Sequence, residues 1–84
     1  MHSKADPAFW SRYHELPQRT RQLARKTYAL WLRDSFHPSL RFKRLKNELW
    51  SIRVGEHYRA VGYFLNTDSF VWIWIGTHEE YNKF

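Results

Sequence analysis

Two neighbouring stretches near the C-terminus decide the fold of this chain. They read Trp50-Ser51-Ile52-Arg53-Val54-Gly55-Glu56-His57-Tyr58-Arg59-Ala60-Val61-Gly62-Tyr63 and Phe70-Val71-Trp72-Ile73-Trp74-Ile75-Gly76-Thr77-His78-Glu79-Glu80-Tyr81. In the first stretch, apolar and polar residues alternate with the period of two that is typical of β-strands. Residues 55–57 interrupt this alternation as a tight turn. The pattern predicts paired antiparallel strands that carry arginines within them.

Two further strands extend this predicted sheet. In residues 40–45 apolar side chains alternate with basic ones, and residues 70–75 are apolar on both sides, as is typical of a central strand. Residues 46–48 and 66–69 are polar and turn-forming, and they separate these strands from their neighbours. We therefore expect a four-stranded antiparallel meander in the second half of the chain.

The first half of the chain has helical spacing instead. Asp6-Pro7 is typical of a helix start, because Asp caps the first turn and Pro suits the first helical position. Pro17 ends this helix and opens a second one, which runs from about Pro17 to Arg33. Residues 1–5 are compatible with a short preceding strand. The sequence thus predicts a single α+β domain over residues 1–84, with a helical hairpin packed on one face of the meander.

The composition indicates a polyanionic partner. Lys and Arg total 14 against 8 acidic residues, which leaves a net charge of +6, and 19% of the residues are aromatic. A small basic domain rich in aromatic residues is typical of nucleic-acid binding, although a merely solvated basic surface is the alternative. The chain has no cysteine, no apolar run long enough to span a membrane and no recognisable signal peptide. We therefore expect a cytoplasmic protein.

Arg53 and Arg59 are the first candidate site residues. They flank the turn at residues 55–57, so antiparallel pairing across this turn brings them close together. Two adjacent cations repel each other unless an anion lies between them, and a phosphate is such an anion. The alternative is that each arginine pairs with a carboxylate from Glu48, Glu56 or Glu79.

His78 and Tyr81 are the second pair of candidates, because they follow a strand that lies beside the arginines. Histidine exchanges protons near neutral pH, and a tyrosine either stacks on a base or donates a proton. With the two arginines, they indicate chemistry on a phosphodiester.

A basic segment accounts for the remaining candidates. Lys43, Arg44 and Lys46 alternate with apolar residues, which suits an RNA backbone that crosses the sheet. The alternative is an edge strand that lysines protect against aggregation. The five histidines show no metal-ligand spacing and no cysteine is available, so neither a metal ion nor another cofactor is predicted.

Four segments, in this order and spacing, resemble the RelE/ParE superfamily of bacterial type II toxins: Phe42–Lys46, Trp50–Val54, Tyr58–Val61 and Trp74–Tyr81. The resemblance covers nearly the whole chain. The RelE branch cleaves messenger RNA on the ribosome. The resemblance therefore implies a metal-independent endoribonuclease in which the 2′-hydroxyl attacks its own phosphate, and an acidic antitoxin as the partner that neutralises it.

The resemblance also implies roles for individual residues. Arg53 and Arg59 take the positions of cations that hold the phosphate, His78 that of an acid or base, and Tyr81 that of a C-terminal aromatic residue that stacks on a base. Lys43 and Lys46 lie near basic strand positions of the family.

Two departures leave other functions open. Ser51 stands where some RelE members have a catalytic lysine, and little chain remains after Tyr81 to form a C-terminal helix. The ParE branch shares the fold but poisons DNA gyrase, and a third possibility is an inactive member that only binds its antitoxin.

Overall fold

The computed structural model describes residues 1–84 and contains three α-helices and five β-strands. In chain order they are β1 (His2–Ala5), α1 (Pro7–His14), α2 (Gln18–Arg33), β2 (Lys43–Arg44), β3 (Leu49–Val54), β4 (Tyr58–Asn66), β5 (Ser69–Thr77) and α3 (His78–Tyr81). The strands form one sheet in the order β1-β5-β4-β3-β2. Helices α1 and α2 pack on one of its faces, as the sequence predicts.

The sheet has one strand more than the predicted meander. Strand β1 pairs with β5 in parallel, from His2 opposite Ser69 to Ala5 opposite Trp72, whereas all other pairs are antiparallel. Along the chain, the helical hairpin and the strands β2, β3 and β4 lie between β1 and β5. A strand of four residues carries too little pattern to reveal such a distant partner, so the sequence predicts the strand without its pairing.

Strand β2 is shorter than the alternation in residues 40–45 predicts. A 3₁₀ turn occupies Pro38–Leu40, and Arg41 then adopts a left-handed conformation with φ of 48°. A second 3₁₀ turn follows at Lys46–Glu48, where Asn47 is also left-handed. Only two residues between these turns pair with β3.

The helix boundaries follow from the prolines and from Asp6. The Asp6 side chain accepts a hydrogen bond from the Ala8 backbone N–H at 2.8 Å and so caps α1. Pro17 directly precedes α2, whose inward side buries Thr27 and Trp31. None of the three helices combines the length and the apolar character needed to cross a membrane.

The core lies between the helices and one face of the sheet. Trp31 of α2 is fully buried, and its ring lies 5.2 Å from that of Phe70 and 5.1 Å from that of Trp72. Ile52 and Ala60 belong to the same cluster. Because side chains alternate along a strand, their sequence neighbours point to the opposite face, which α1 and α2 leave uncovered.

Candidate functional site

The pairing of β3 with β4 brings two arginines face to face. Arg53 lies directly opposite Arg59, while Ser51 lies opposite Val61 and Val61 opposite Trp74. These five residues point away from the helical hairpin, and we call this side of the sheet, on which Ser51 and Val61 are buried, the open face. The sequence predicts that the turn brings Arg53 and Arg59 close together, and the register of β3 with β4 places both on one face of the sheet.

Backbone carbonyls of the β3–β4 turn hold both guanidinium groups. Arg53 Nε donates to the Gly55 carbonyl at 3.1 Å, and Arg59 Nη1 donates to the Tyr58 carbonyl at 2.8 Å and to Gly55 at 3.4 Å. The ion pairs of the chain are Arg12–Glu80 and Arg44–Glu48, so neither Arg53 nor Arg59 pairs with a carboxylate.

The open face has a concentration of uncompensated positive charge. Partial burial lowers the pKa of Arg59, and repulsion from Arg53 and, to a smaller extent, from Arg41 lowers this pKa further. Arginine nevertheless keeps its proton in proteins. Arg53 and Arg41 thus both repel Arg59, and an anion bound beside Arg59 would relieve this repulsion.

Tyr81 contributes a hydroxyl group beside these cations. The Tyr81 Oη lies 3.0 Å from Oγ of Ser51, a residue that is almost fully buried. The interaction of Arg59 with Tyr81 raises the pKa of Arg59, against the larger lowering by burial and by Arg53. Tyr81 reaches this position because α3 begins immediately after β5, where Thr77 and Glu80 form a capping box. The sequence predicts an absent or very short C-terminal helix, and α3 has four residues.

His78 lies at the outer side of Tyr81. Its exposed ring is roughly parallel to the Tyr81 ring, with 6.0 Å between the ring centroids and 25° between their planes. Its backbone N–H donates to the His57 carbonyl at 2.7 Å, which ties α3 to the β3–β4 turn. The imidazole forms no hydrogen bond with Arg53 or Arg59, whose side chains donate to backbone carbonyls.

The three candidates for RNA binding diverge in the structure. Lys43 lies opposite Ser51 and shares its side of the sheet, whereas Arg44 lies opposite Trp50 and points to the other side. Arg44 Nη2 lies 3.7 Å from Glu48 Oε1. Lys46 is exposed in the turn that follows β2. Lys43 thus extends the positive charge of the open face, and Arg44 does not.

Arg41 and Ser51 join the site although they are not among the predicted site residues. Ser51 has a sequence signal, since it alternates with Arg53 along β3. Arg41 has no such sequence signal. Its interaction with Arg59 depends on the left-handed turn after Leu40, and this turn interrupts the predicted strand.

Two concavities of the molecule lie away from the open face. An apolar cavity of about 430 Å³ opens between α1, α2 and β1, and a polar groove of about 640 Å³ lies between the start of α2 and the β3–β4 turn. Neither contains Arg53 or Arg59. No three His, Asp or Glu side chains are grouped closely enough to hold a metal ion. The charges of Arg53 and Arg59 thus lie outside both concavities, on a face of the sheet that suits an extended polymer better than an enclosed small molecule.

The sequence of residues 18–83 matches the family model described as the ParE-like toxin domain. The chain belongs to this family. The matched segment contains every candidate site residue, from Lys43 to Tyr81. This member of the RelE/ParE superfamily is accordingly a toxin of the kind found in toxin–antitoxin systems. No curated protein matches the chain.

Solved structures confirm the RelE-like fold of this ParE-like toxin. The YoeB/ParE toxin from Agrobacterium tumefaciens has a TM-score of 0.73 at 18% identity, and the alignment covers 93% of this chain and 99% of that toxin. For the RelB-RelE antitoxin-toxin complex from Methanococcus jannaschii the TM-score is 0.72 at 19% identity, and the alignment covers 95% of this chain and 96% of the matched one. For YafQ from E. coli strain BL21(DE3) the TM-score is 0.75 at 9% identity, and the alignment covers 94% of each chain.

Proposed function

We propose that this ParE-like toxin is an endoribonuclease that cleaves messenger RNA on the ribosome, without a metal ion or another cofactor. The observation that carries this proposal is the pair of guanidinium groups on Arg53 and Arg59, which face each other without a carboxylate and lie beside the hydroxyl of Tyr81. A phosphodiester of single-stranded RNA has the charge and the extended shape that this surface accepts.

The arginines stabilise charge on the phosphate. When a 2′-hydroxyl attacks the adjacent phosphorus, negative charge builds up on the phosphate oxygens that take no part in bond making or breaking. Guanidinium groups bind such oxygens through two parallel N–H donors, and these charge-assisted hydrogen bonds strengthen as the charge grows. The turn carbonyls fix Arg53 and Arg59 before the RNA arrives, so little reorganisation accompanies the reaction.

His78 and Tyr81 handle the protons in this proposal. The 2′-oxygen loses its proton as its bond to phosphorus forms, and the 5′-oxygen gains a proton as its bond to phosphorus breaks. The products are a 2′,3′-cyclic phosphate and a 5′-hydroxyl. His78 is the candidate acid or base, and Tyr81 either stacks on a base or donates a proton. The hydrogen bond between Ser51 Oγ and Tyr81 Oη fixes the position of the Tyr81 hydroxyl.

An acidic antitoxin is the proposed protein partner. A RelE from Methanococcus jannaschii was solved with an antitoxin, RelB, and this chain has the same fold and a net charge of +6. A partner rich in Asp and Glu would neutralise the basic surface and block access to RNA. A target on the ribosome would place the toxin in the cytoplasm.

Cleavage mapping in a cell-free translation reaction tests the nuclease proposal. The wild type is expected to cut translated messages and to leave a 2′,3′-cyclic phosphate, while a 2′-deoxy substitution at the cut nucleotide abolishes the cut. Arg53→Ala and Arg59→Ala should each lower the cleavage rate constant by about 100-fold. Tyr81→Phe and His78→Ala should each lower it by about 10- to 100-fold. Arg33→Ala, which removes an exposed positive charge at the end of α2, should leave it unchanged.

Poisoning of DNA gyrase is the second candidate function. It is favoured by the ParE-like family model and by the absence of a hydrogen bond between His78 and the arginines. Intact transcripts together with inhibited supercoiling by purified gyrase would establish this function and refute the nuclease. Full toxicity of His78→Ala would point the same way.

A further inference from the structure

Arg12 of α1 reaches across to the free edge of β5. Strand β1 pairs with β5 only as far as Trp72, so the backbone carbonyl of Ile75 has no neighbouring strand on that side. Arg12 Nε donates to this carbonyl at 2.8 Å. The Arg12 side chain thus supplies the hydrogen bond that a neighbouring strand would otherwise donate, at the end of β5 that leads into α3.

The same guanidinium group also holds α3. Arg12 Nη2 donates to Glu80 Oε2 at 2.9 Å, and the guanidinium carbon lies 5.0 Å from the centre of the Trp74 ring. A Cβ atom at Gly76 would lie only 2.9 Å from Arg12 Nη2 and 2.5 Å from the Trp74 ring. The glycine therefore leaves the space through which Arg12 passes.

Helix α3 depends on such contacts. Four residues are too few to form a stable helix by themselves. Glu80 holds the first turn, because one of its carboxylate oxygens accepts from the Thr77 N–H at 3.0 Å while the other accepts from Arg12. These hydrogen bonds lower the pKa of Glu80, with the Thr77 N–H as the largest cause and Arg12 the next.

We propose that Arg12 is a positioning residue, which fixes α3 through Glu80 and thereby sets where Tyr81 and His78 lie relative to Arg53 and Arg59. The catalytic consequence rests on the proposed nuclease function. An exposed ion pair alone contributes little, because ordering two long side chains has an entropic cost. Here the Ile75 carbonyl and the Trp74 ring already order Arg12, so its bond to Glu80 restrains α3 at a smaller cost.

Three variants and one control test this role. Arg12→Ala removes all the contacts, and Arg12→Lys keeps the charge but not the forked geometry. Glu80→Gln keeps a side chain that suits a capping box but loses the charge that Arg12 binds. Glu80 is exposed, so this variant is expected to fold. Arg33→Ala matches the charge change of Arg12→Ala at an exposed position at the end of α2, without a contact to α3.

Two readouts are measured on the full-length toxin. Amide hydrogen exchange of residues 78–84 reports the order of α3, and kcat and KM for RNA cleavage report its consequence. Arg12→Ala is expected to speed exchange in α3 and to lower kcat by about tenfold with little change in KM, because misplacement of a catalytic group acts on the chemical step. Arg12→Lys should recover part of the loss. The double variant Arg12→Ala/Glu80→Gln should be no slower than Arg12→Ala, since both changes remove one interaction.

The two readouts test the role of Arg12 in α3 separately from the proposed nuclease activity. Unchanged exchange in Arg12→Ala would refute the restraint of α3, and faster exchange with an unchanged kcat would refute positioning. A wild-type toxin that cleaves no RNA would refute the nuclease and with it the catalytic consequence. Exchange in Arg12→Ala would then still decide whether Arg12 orders α3.

Discussion

The placement of Arg53 opposite Arg59 carries an energetic cost. Like charges directly opposite each other destabilise a pair of strands. The carbonyl of Gly55 accepts hydrogen bonds from both side chains, which reduces the repulsion without removing a charge. A pair of this kind is typical of a binding site whose ligand supplies the opposite charge.

This cost predicts opposite effects on stability and activity. Arg59→Gln should raise the free energy of unfolding by about 0.2–1 kcal/mol, because the repulsion from Arg53 and Arg41 disappears. The same variant should lose most RNA cleavage. Urea denaturation followed by tryptophan fluorescence measures the stability, with Arg33→Gln as the control. A lower stability of Arg59→Gln would mean that Arg59 serves the fold rather than a ligand.

At the scale of elements, α3 is the segment on which the site depends most. It carries both His78 and Tyr81, yet few contacts hold it: the capping box, the hydrogen bond from the His78 N–H to the His57 carbonyl, the ion pair with Arg12 and the hydrogen bond between Ser51 and Tyr81. Directly after α3, the Phe84 ring packs on Trp74, with 4.8 Å between the ring centroids. Small elements held by few contacts open before the rest of a domain does. The order of α3 should therefore respond to conditions that leave the sheet intact.

Acidification is such a condition. The pKa of Glu80 is lower in the folded protein than in the unfolded chain, so ionised Glu80 stabilises α3 above its unfolded pKa. This stabilisation is lost as the pH falls through the folded pKa. We expect the backbone of residues 78–84 to become mobile as the pH falls below the ordinary pKa of a glutamate side chain, while β3 to β5 stay rigid. ¹⁵N relaxation measures both segments.

Glu80→Gln provides the control for this pH dependence. Its neutral side chain does not titrate, so the mobility of α3 should change less with pH than in the wild type. An equal pH dependence in both proteins would assign the effect to another group.

At the scale of the whole molecule, the two faces of the sheet have separate tasks. The helical hairpin and the aromatic core stabilise one face, which leaves the other free to carry charge. The net charge of +6 acts over the whole surface, and it favours encounter with any polyanion. The contacts of Arg41, Lys43, Arg53 and Arg59 would then select the phosphates that reach the open face.

The dependence of RNA binding on salt concentration distinguishes the contacts of these four side chains from the general electrostatic attraction of a basic protein. Binding of single-stranded RNA through four cations predicts a slope of about −3 for the logarithm of the association constant against the logarithm of salt concentration. Removing Arg59 should make this slope less negative by about 0.7. Fluorescence anisotropy with a labelled RNA measures both slopes. A slope that Arg59→Ala leaves unchanged would show that the RNA binds elsewhere.

Local patterns in the sequence predict most of this fold. The alternation around Ser51 and Arg53, the turn at Gly55 and the proline that precedes α2 specify the second helix and the β3–β4 hairpin, and hence the meeting of Arg53 with Arg59. These features depend on residues that are close along the chain. The roles of the predicted site residues in catalysis and RNA binding stay predictions.

The sequence by itself determined the α+β class, the order of the main helices and strands and the closeness of Arg53 to Arg59, because hydrophobic period and turn chemistry act over a few residues. Only the tertiary structure decided the parallel pairing of β1 with β5, the approach of Arg41 to Arg59 and the reach of Arg12 to Glu80. Each of these three features joins segments that are distant along the chain or depends on a left-handed turn. Local sequence patterns do not predict contacts of this kind.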